Sequence, residues 1–210
     1  MGLKVYWGCG TDLRPGWINV DLWKPDCVDH TFVRHNEHLW SKNAEGNNAV
    51  VWFLQIPTLL EASYFSVGSV DEIYSNHVLE HLDFRSFMSL LWEFRRMLVP
   101  GIGTMHHIVP DFDSLTKRWQ KLWEPEPTAY ATGSTLCCKN HVDTEEYIRI
   151  VDGICCAVGF NVPPHQSLWN KSSAEFFLSR WDFRDVTTDV DGDGNLHMRA
   201  TRSQKNHNSV

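Results

Sequence analysis

A short β-prone run, Leu3-Lys4-Val5-Tyr6-Trp7, breaks off at Gly8-Cys9-Gly10. Asp21 closes a second such run 11 residues after Gly10. A Gly-x-Gly turn after a strand lets backbone approach a ligand closely, and the next turn can offer free N–H groups. A carboxylate in the place of Asp21 can accept hydrogen bonds from both ribose hydroxyls of a nucleoside. A dinucleotide fingerprint would need a third glycine at position 13, which is Leu13, and an acid ~20 residues on, after a full helix. Pro15-Gly16 leaves no room for that helix. The pattern points to a nucleoside without a pyrophosphate; the plainer alternative is a tight turn with Asp21 capping the next segment. Histidine, with an unperturbed pKa of ~6.5, suits a general base. His77 and His81 follow one β-prone run, and His106 and His107 lie in another. Neighbours in a strand point to opposite faces, so at most one of His106 and His107 addresses a common site. Asn76-His77 is the preferred pair, with Asp111 and His165 as further candidates. The competing account makes these histidines surface or satisfied core residues, with His81 positioning Glu80.

Other groups carry weaker chemistry. Cys137-Cys138 and Cys155-Cys156 are adjacent pairs, which suit neither a C-x-x-C redox motif nor the usual zinc knuckle. Cys138 and His141 have a two-residue spacer, yet buried or incidental reduced thiols are the expected reading, and no metal site is assigned. Asp189-Val190-Asp191-Gly192-Asp193-Gly194-Asn195 mimics the start of a calcium loop, but position 12 is Ala200 and the flanks are strand-like, so a hairpin turn is expected. Of 10 tryptophans, Trp17, Trp23, Trp40, Trp119, Trp123 and Trp169 are candidates to line an acceptor pocket, core packing being the duller possibility. Asn170-Lys171-Ser172 matches a glycosylation sequon.

The elements that must position these groups alternate between strand and helix. Strands are expected at Leu3 to Trp7, Trp17 to Leu22, Ala49 to Leu54, Val70 to Ser75 and Thr104 to Val109. Phe87, Leu90, Leu91, Phe94 and Leu98 recur at helical spacing and predict a helix from Phe84, ended by Pro100-Gly101. Asp111 or Asp113 can cap an amphipathic stretch from Ser114 to Leu122. Further helices are expected from Thr144 to about Ala157 and near Ser173 to Arg180. Phe183 to Val190 and Leu196 to Arg202 read as a hairpin. Residues 23 to 48 give no clear assignment. The whole reads as an α/β sheet, mostly parallel, with a hairpin at the end. One domain over 1–202 is expected, with an insertion at about 123–165 and a frayed tail at 203–210.

With 210 residues, 42% of them apolar and 12% aromatic, the chain can build a sizeable core. A net charge of −7 argues against a partner made of phosphate backbone, so no nucleic acid is expected. No run of ~18 apolar residues occurs, and the N-terminus leads straight into a strand, so neither a membrane span nor a secretory signal is expected. Tyr6 stands where a myristoylation pattern needs Ser or Thr. The expected location is cytoplasmic.

The run Gly8-Cys9-Gly10-Thr11-Asp12-Leu13-Arg14-Pro15-Gly16-Trp17-Ile18-Asn19-Val20-Asp21 resembles the opening of class I S-adenosylmethionine-dependent methyltransferases. The nearest subgroup is the small methyltransferase-like proteins tied to polysaccharide and glycan modification. Ser69 to Leu82, containing Asn76-His77-Val78-Leu79-Glu80-His81, is similar to the family's fourth strand and its Leu-Glu-His motif. Leu98-Val99-Pro100-Gly101-Ile102-Gly103-Thr104 and His106-His107-Ile108-Val109-Pro110-Asp111-Phe112 resemble the turn before the fifth strand and that strand's end. The resemblance covers roughly 1 to 22 and 49 to 122, with a weaker match at 165 to 202.

It implies a Rossmann-like, seven-stranded, mostly parallel sheet whose last strand is antiparallel. It also implies S-adenosyl-L-methionine as cofactor. Gly8, Cys9 and Gly10 would line the methionine end and Asp21 the ribose, within a set comprising Trp7, Gly8, Cys9, Gly10, Asp21, Leu22, Gln55, Asn76 and His77. Two departures stand out: Tyr6-Trp7 replace the acid often found at the end of strand one, and Phe53-Leu54-Gln55-Ile56-Pro57 lacks the usual adenine-binding acid, for which Gln55 or a backbone group substitutes. The implied reaction moves the sulfonium methyl to a small acceptor, a hydroxyl of a sugar or glycan precursor, with His77, His106 and Asp111 as catalytic candidates. The alternatives are a protein or natural-product amine as acceptor, or a non-catalytic binding module on the same fold.

Overall fold

The computed structural model describes residues 2–23, 39–42, 50–123 and 166–204. Eight strands form one sheet in the order β3-β4-β2-β1-β5-β6-β8-β7. They are β1 (Leu3–Trp7), β2 (Ile18–Asp21), β3 (Leu39–Lys42), β4 (Val50–Gln55), β5 (Val70–Asn76), β6 (Thr104–Pro110), β7 (Phe183–Val190) and β8 (Asn195–Arg202). Strands β4, β2, β1, β5 and β6 run parallel, and β8 is antiparallel to both β6 and β7. These seven are the sheet expected from the sequence. The eighth, β3, pairs antiparallel with the edge of β4 and lies in the stretch that resisted assignment. From β1 the chain winds outward through β2 and then returns to place β5 on the other flank of β1. The carboxyl ends of β1 and β5 therefore bracket the point where strand order reverses, the usual ligand crevice of an open α/β sheet.

Period-2 alternation divides β1 between two environments. Val5 and Trp7 turn to the face covered by α1 (Phe84–Met97) and α3 (Lys171–Arg180), whose Phe87, Leu90, Leu91, Phe94, Ala174 and Leu178 complete one large core. Asp83 starts α1 by accepting from the Ser86 N–H at 2.8 Å, and Asn170 and Ser173 form a reciprocal capping box on α3. Arg95 of α1 is buried, and Asp182 accepts from its guanidinium at 2.7 Å. The opposite face holds a smaller cluster of Tyr6, Cys9, Phe53 and Tyr74. Arg14 lies over the Tyr74 ring at 3.7 Å and the Tyr6 ring at 4.7 Å. The Tyr6 hydroxyl donates to Asp12 at 3.2 Å, and burial together with that carboxylate raises its pKa.

As Pro15-Gly16 implied, no helix joins β1 to β2. Asn19, fully buried, holds the link in place of one. Its Oδ1 accepts from the Arg14 N–H at 2.8 Å, and its Nδ2 donates to the Arg14 carbonyl at 3.1 Å and the Trp52 carbonyl at 3.0 Å. The helix α2 (Phe112–Trp123) follows β6. The expected helix at 144–157, the paired cysteines, His141, His165 and almost all of the expected insertion and tail lie outside the described residues. Among the described residues no helix is long and apolar enough to cross a membrane.

Candidate active site

The turn after β1 needs its glycines. Gly8 has φ 67°, and a Cβ there would sit 2.3 Å from Val78 Cγ2, so the loops after β1 and β5 touch at a point only glycine allows. The N–H groups of Gly8 and Cys9 both donate to the Val20 carbonyl, at 2.8 and 3.1 Å. Gly10, φ 53°, has nothing within 4 Å of where a Cβ would be. Its N–H donates to Asp21 Oδ2 at 2.7 Å, and the Leu22 N–H donates to Oδ1 at 2.6 Å. Asp21 is thus oriented at the end of β2, half-buried, beside the glycine turn. Gln55 at the end of β4 donates from Nε2 to the Leu22 carbonyl at 3.0 Å. Gly8, Gly10, Asp21, Leu22 and Gln55 therefore share one rim. Trp7 differs: its side chain is fully buried among Phe65 and Phe94, and its indole N–H donates to the Leu59 carbonyl at 3.1 Å.

On the other flank of the crevice, Asn76 ends β5 beside Ile108 of β6. His77 follows in the left-handed region, φ 54°, its N–H bonded to the Ile108 carbonyl at 2.9 Å. One turn of 3-10 helix, Leu79–His81, then brings Glu80 back so that its Oε1 lies 2.9 Å from His77 Nδ1. A carboxylate only accepts, so Nδ1 carries the proton, and in the neutral imidazole Nε2 keeps the lone pair. Glu80 is buried, its Oε2 without a hydrogen-bond partner, while the His77 side chain is 45% exposed. The hydrogen bond to Glu80 raises the His77 pKa, against the opposing effect of burial and with help from the charges of Glu80 and Asp191. A buried carboxylate orienting a half-exposed imidazole is a general-base arrangement. Glu80 is not among the site residues expected from the sequence; its spacing of three residues from His77 is the available signal.

The remaining candidates separate. His106 sits in mid-strand opposite Tyr74, away from the carboxyl edge. Its Nε2 lies 3.1 Å from His197 Nδ1, and His197 Nε2 lies 3.1 Å from Asp191 Oδ2. Burial and the nearby Arg199 push its pKa down to about 4. His107 points the other way, as strand alternation requires. It is buried against Phe94, with Nδ1 2.7 Å from Ser75 Oγ, and burial lowers its pKa to about 3. Asp111 is buried, and its Oδ2 accepts from the N–H and hydroxyl of Ser114 at 2.8 and 2.6 Å, which makes it the cap of α2. Asp191 organises the β7–β8 turn by accepting from the N–H groups of Asp193 and Asn195 at 2.9 and 2.8 Å, the Asx-turn geometry of a hairpin. Burial opposes its ionisation, but these bonds and the one from His197 outweigh it and hold the carboxyl below its usual range.

No protein-family model and no curated protein matches the chain at the sequence level. Solved structures do match. A protein of Pyrococcus horikoshii OT3 aligns at TM-score 0.57 and 16% identity, over 96% of this chain and 82% of the other. A SAM dependent methyltransferase from Archaeoglobus fulgidus aligns at TM-score 0.51 and 12% identity, over 95% and 85%. The 1,6-didemethyltoxoflavin-N1-methyltransferase of Burkholderia thailandensis, with its substrate and S-adenosylhomocysteine bound, aligns at TM-score 0.50 and 10% identity, over 96% and 71%. Other matching chains are longer, and this chain spans 36% of one and 47% of another. Strand order, the antiparallel β8 and these neighbours define the class I methyltransferase fold.

Proposed function

We propose that the chain is an S-adenosylmethionine-dependent methyltransferase acting on a small acceptor, a hydroxyl of a sugar or glycan precursor. One observation carries the reading: the Gly10–Asp21 rim and the His77–Glu80 dyad stand at the carboxyl ends of the strands that flank the strand-order reversal, and the loops after β1 and β5 meet where Gly8 approaches Val78. The rim suits the cofactor, because Gly10 leaves its side open and the Gly10 and Leu22 N–H groups hold the Asp21 carboxylate beside it. Gly8, Cys9 and Gly10 would hold the methionine end, Asp21 the ribose hydroxyls, and Leu22 and Gln55 the adenine side. When bound, S-adenosylmethionine supplies an electrophilic methyl, so the protein's tasks are alignment and proton removal. His77 takes the hydroxyl proton at Nε2, and Glu80 stabilises the imidazolium that results. Sugar as the acceptor is supported by the resemblance to glycan-associated methyltransferases, and a hydroxyl by the presence of a base.

Thermal unfolding with S-adenosylmethionine, S-adenosylhomocysteine and NAD in parallel tests the cofactor. Ligand at ~100 times its dissociation constant adds about 2.7 kcal/mol, a shift of roughly 5 to 10 °C for this size. The expected result is a shift with the first two only, lost in Asp21→Ala. No shift with any of the three overturns the enzymatic reading, and binding without turnover over an acceptor screen replaces it with a non-catalytic module.

A further inference from the structure

Helix α1 carries two adjacent rows at i, i+4, i+8 on its outer side, of whose residues Met88 also packs partly against the core. Phe84, Met88 and Trp92 form one row, and Arg85, Ser89 and Glu93 the other; all six line a single groove. Phe84 is 58% and Trp92 50% exposed, although large apolar side chains favour burial. Both are held in place from behind. The Phe84 ring lies 5.4 Å from that of Phe177, and the Trp92 ring lies 6.2 Å from Trp181 with the Arg95 guanidinium 5.4 Å above it. Rigid aromatic anchors of this kind lose little entropy on being covered.

The two rows have a symmetry of their own. Read backwards, the first again runs aromatic, Met88, aromatic. The second has Ser89 at its centre, a cation at one end and an anion at the other. Glu93 is fixed by Arg96 at 2.7 Å, and Arg96 is anchored on the carbonyls of Phe65 and Ala62 at 2.8 and 2.7 Å. We propose that this face binds a second copy of the same chain, α1 against α1, antiparallel about a two-fold axis passing beside Met88 and Ser89. Ridges of i±4 residues are those with which helices most often pack. Phe84 then packs on the partner's Trp92 and Arg85 meets the partner's Glu93, each contact occurring twice, as an isologous interface requires. Ser89 leaves room for the helices to approach at the axis. The charge pattern is its own complement on reversal, which is what a second copy supplies.

The test is light scattering on the intact chain at micromolar concentration. The wild type is expected at twice the 24.3 kDa of one copy. Arg85→Glu alone sets like charges opposite each other in both contacts, as does Glu93→Arg alone, and each is expected to halve the mass. Mixed in equal amounts, the two variants restore opposite charges in both contacts and are expected to return to the double mass. Ser89→Arg, which leaves both pairs intact but crowds the axis, is expected to halve it again. A wild type that stays single, a double mass indifferent to Ser89→Arg, or a mixture of folded charge variants that stays single overturns the proposal.

Discussion

The two adjacent histidines of β6 provide the sharpest quantitative test of the fold. His107 is fully buried and its pKa lowered to about 3, whereas an unfolded chain returns it to ~6.5. Between those values the unfolded state binds a proton that the native state refuses, so stability falls as pH falls below about 6.5 and the loss ends near 3. Going from about pH 7.5 to about pH 4.5 removes roughly 2–3 kcal/mol through this one group. The comparison variant is His107→Leu combined with Ser75→Ala, which removes both members of the 2.7 Å hydrogen bond and leaves neither buried partner unsatisfied. His106 and every carboxylate titrate alike in both proteins and cancel in the difference. Urea unfolding followed by tryptophan fluorescence at the two pH values gives the numbers. The wild type is expected to lose roughly 2–3 kcal/mol more than the variant on acidification. Equal losses would mean that His107 takes up protons in the native state, and the assignment of His107 to the core and His106 to the opposite face would be wrong.

Two further outcomes concern the crevice. Gly8→Ala sets a Cβ against Val78 at a backbone conformation with φ 67°; it is expected to cost about 1–3 kcal/mol by urea unfolding and to abolish the cofactor-induced thermal shift. Unaltered stability and an unaltered shift would refute the close approach of the two loops. Glu80→Gln removes the charge that raises the His77 pKa. A base must be neutral to act, so the wild-type kcat/KM is expected to rise with pH through an apparent pKa above ~6.5. In the variant that inflection should move down, with a rate loss of ~10- to 100-fold. An inflection that stays in place would remove the dyad from the mechanism.

What the sequence made legible was local. The Gly-x-Gly turn, the missing helix between β1 and β2, the helical spacing of Phe87 to Phe94 and the closing hairpin all follow from neighbours within a few residues. Strand alternation likewise anticipated that His106 and His107 diverge. The rest depends on pairing at a distance. β3 joins the sheet as an edge strand, through a pairing its polar, mixed surroundings do not announce. His197 reaches both His106 and Asp191 only because β8 lies against β6 in one particular register. Trp7 falls between the two cases: its place at the end of β1 puts it beside the expected cofactor residues, while alternation with Val5 assigns its side chain to the helix-covered core. Asp111 fitted both a cap and a catalytic acid, and its bonds to Ser114 make it the cap.

The crevice also shows how a sheet of this fold keeps its glycine turn without a helix behind it. A helix after β1 would ordinarily satisfy the backbone of the turn and fix the position of the next strand. Here Asn19 supplies those bonds from inside the sheet, while Asp21 receives the Gly10 N–H, so one four-residue strand both anchors the link and presents the acid. Left-handed backbone gathers at the same place: Gly8 and Gly10 on one flank and the non-glycine His77 on the other. Backbone held in a sparsely populated conformation costs about 1–3 kcal/mol and persists only where its surroundings over-determine it. At His77 they do so twice, through the Ile108 carbonyl on its N–H and Glu80 on its ring. The residue is thus fixed at its backbone and at Nδ1, which leaves Nε2 as the free end of a ring set beside the loop that meets the glycine turn.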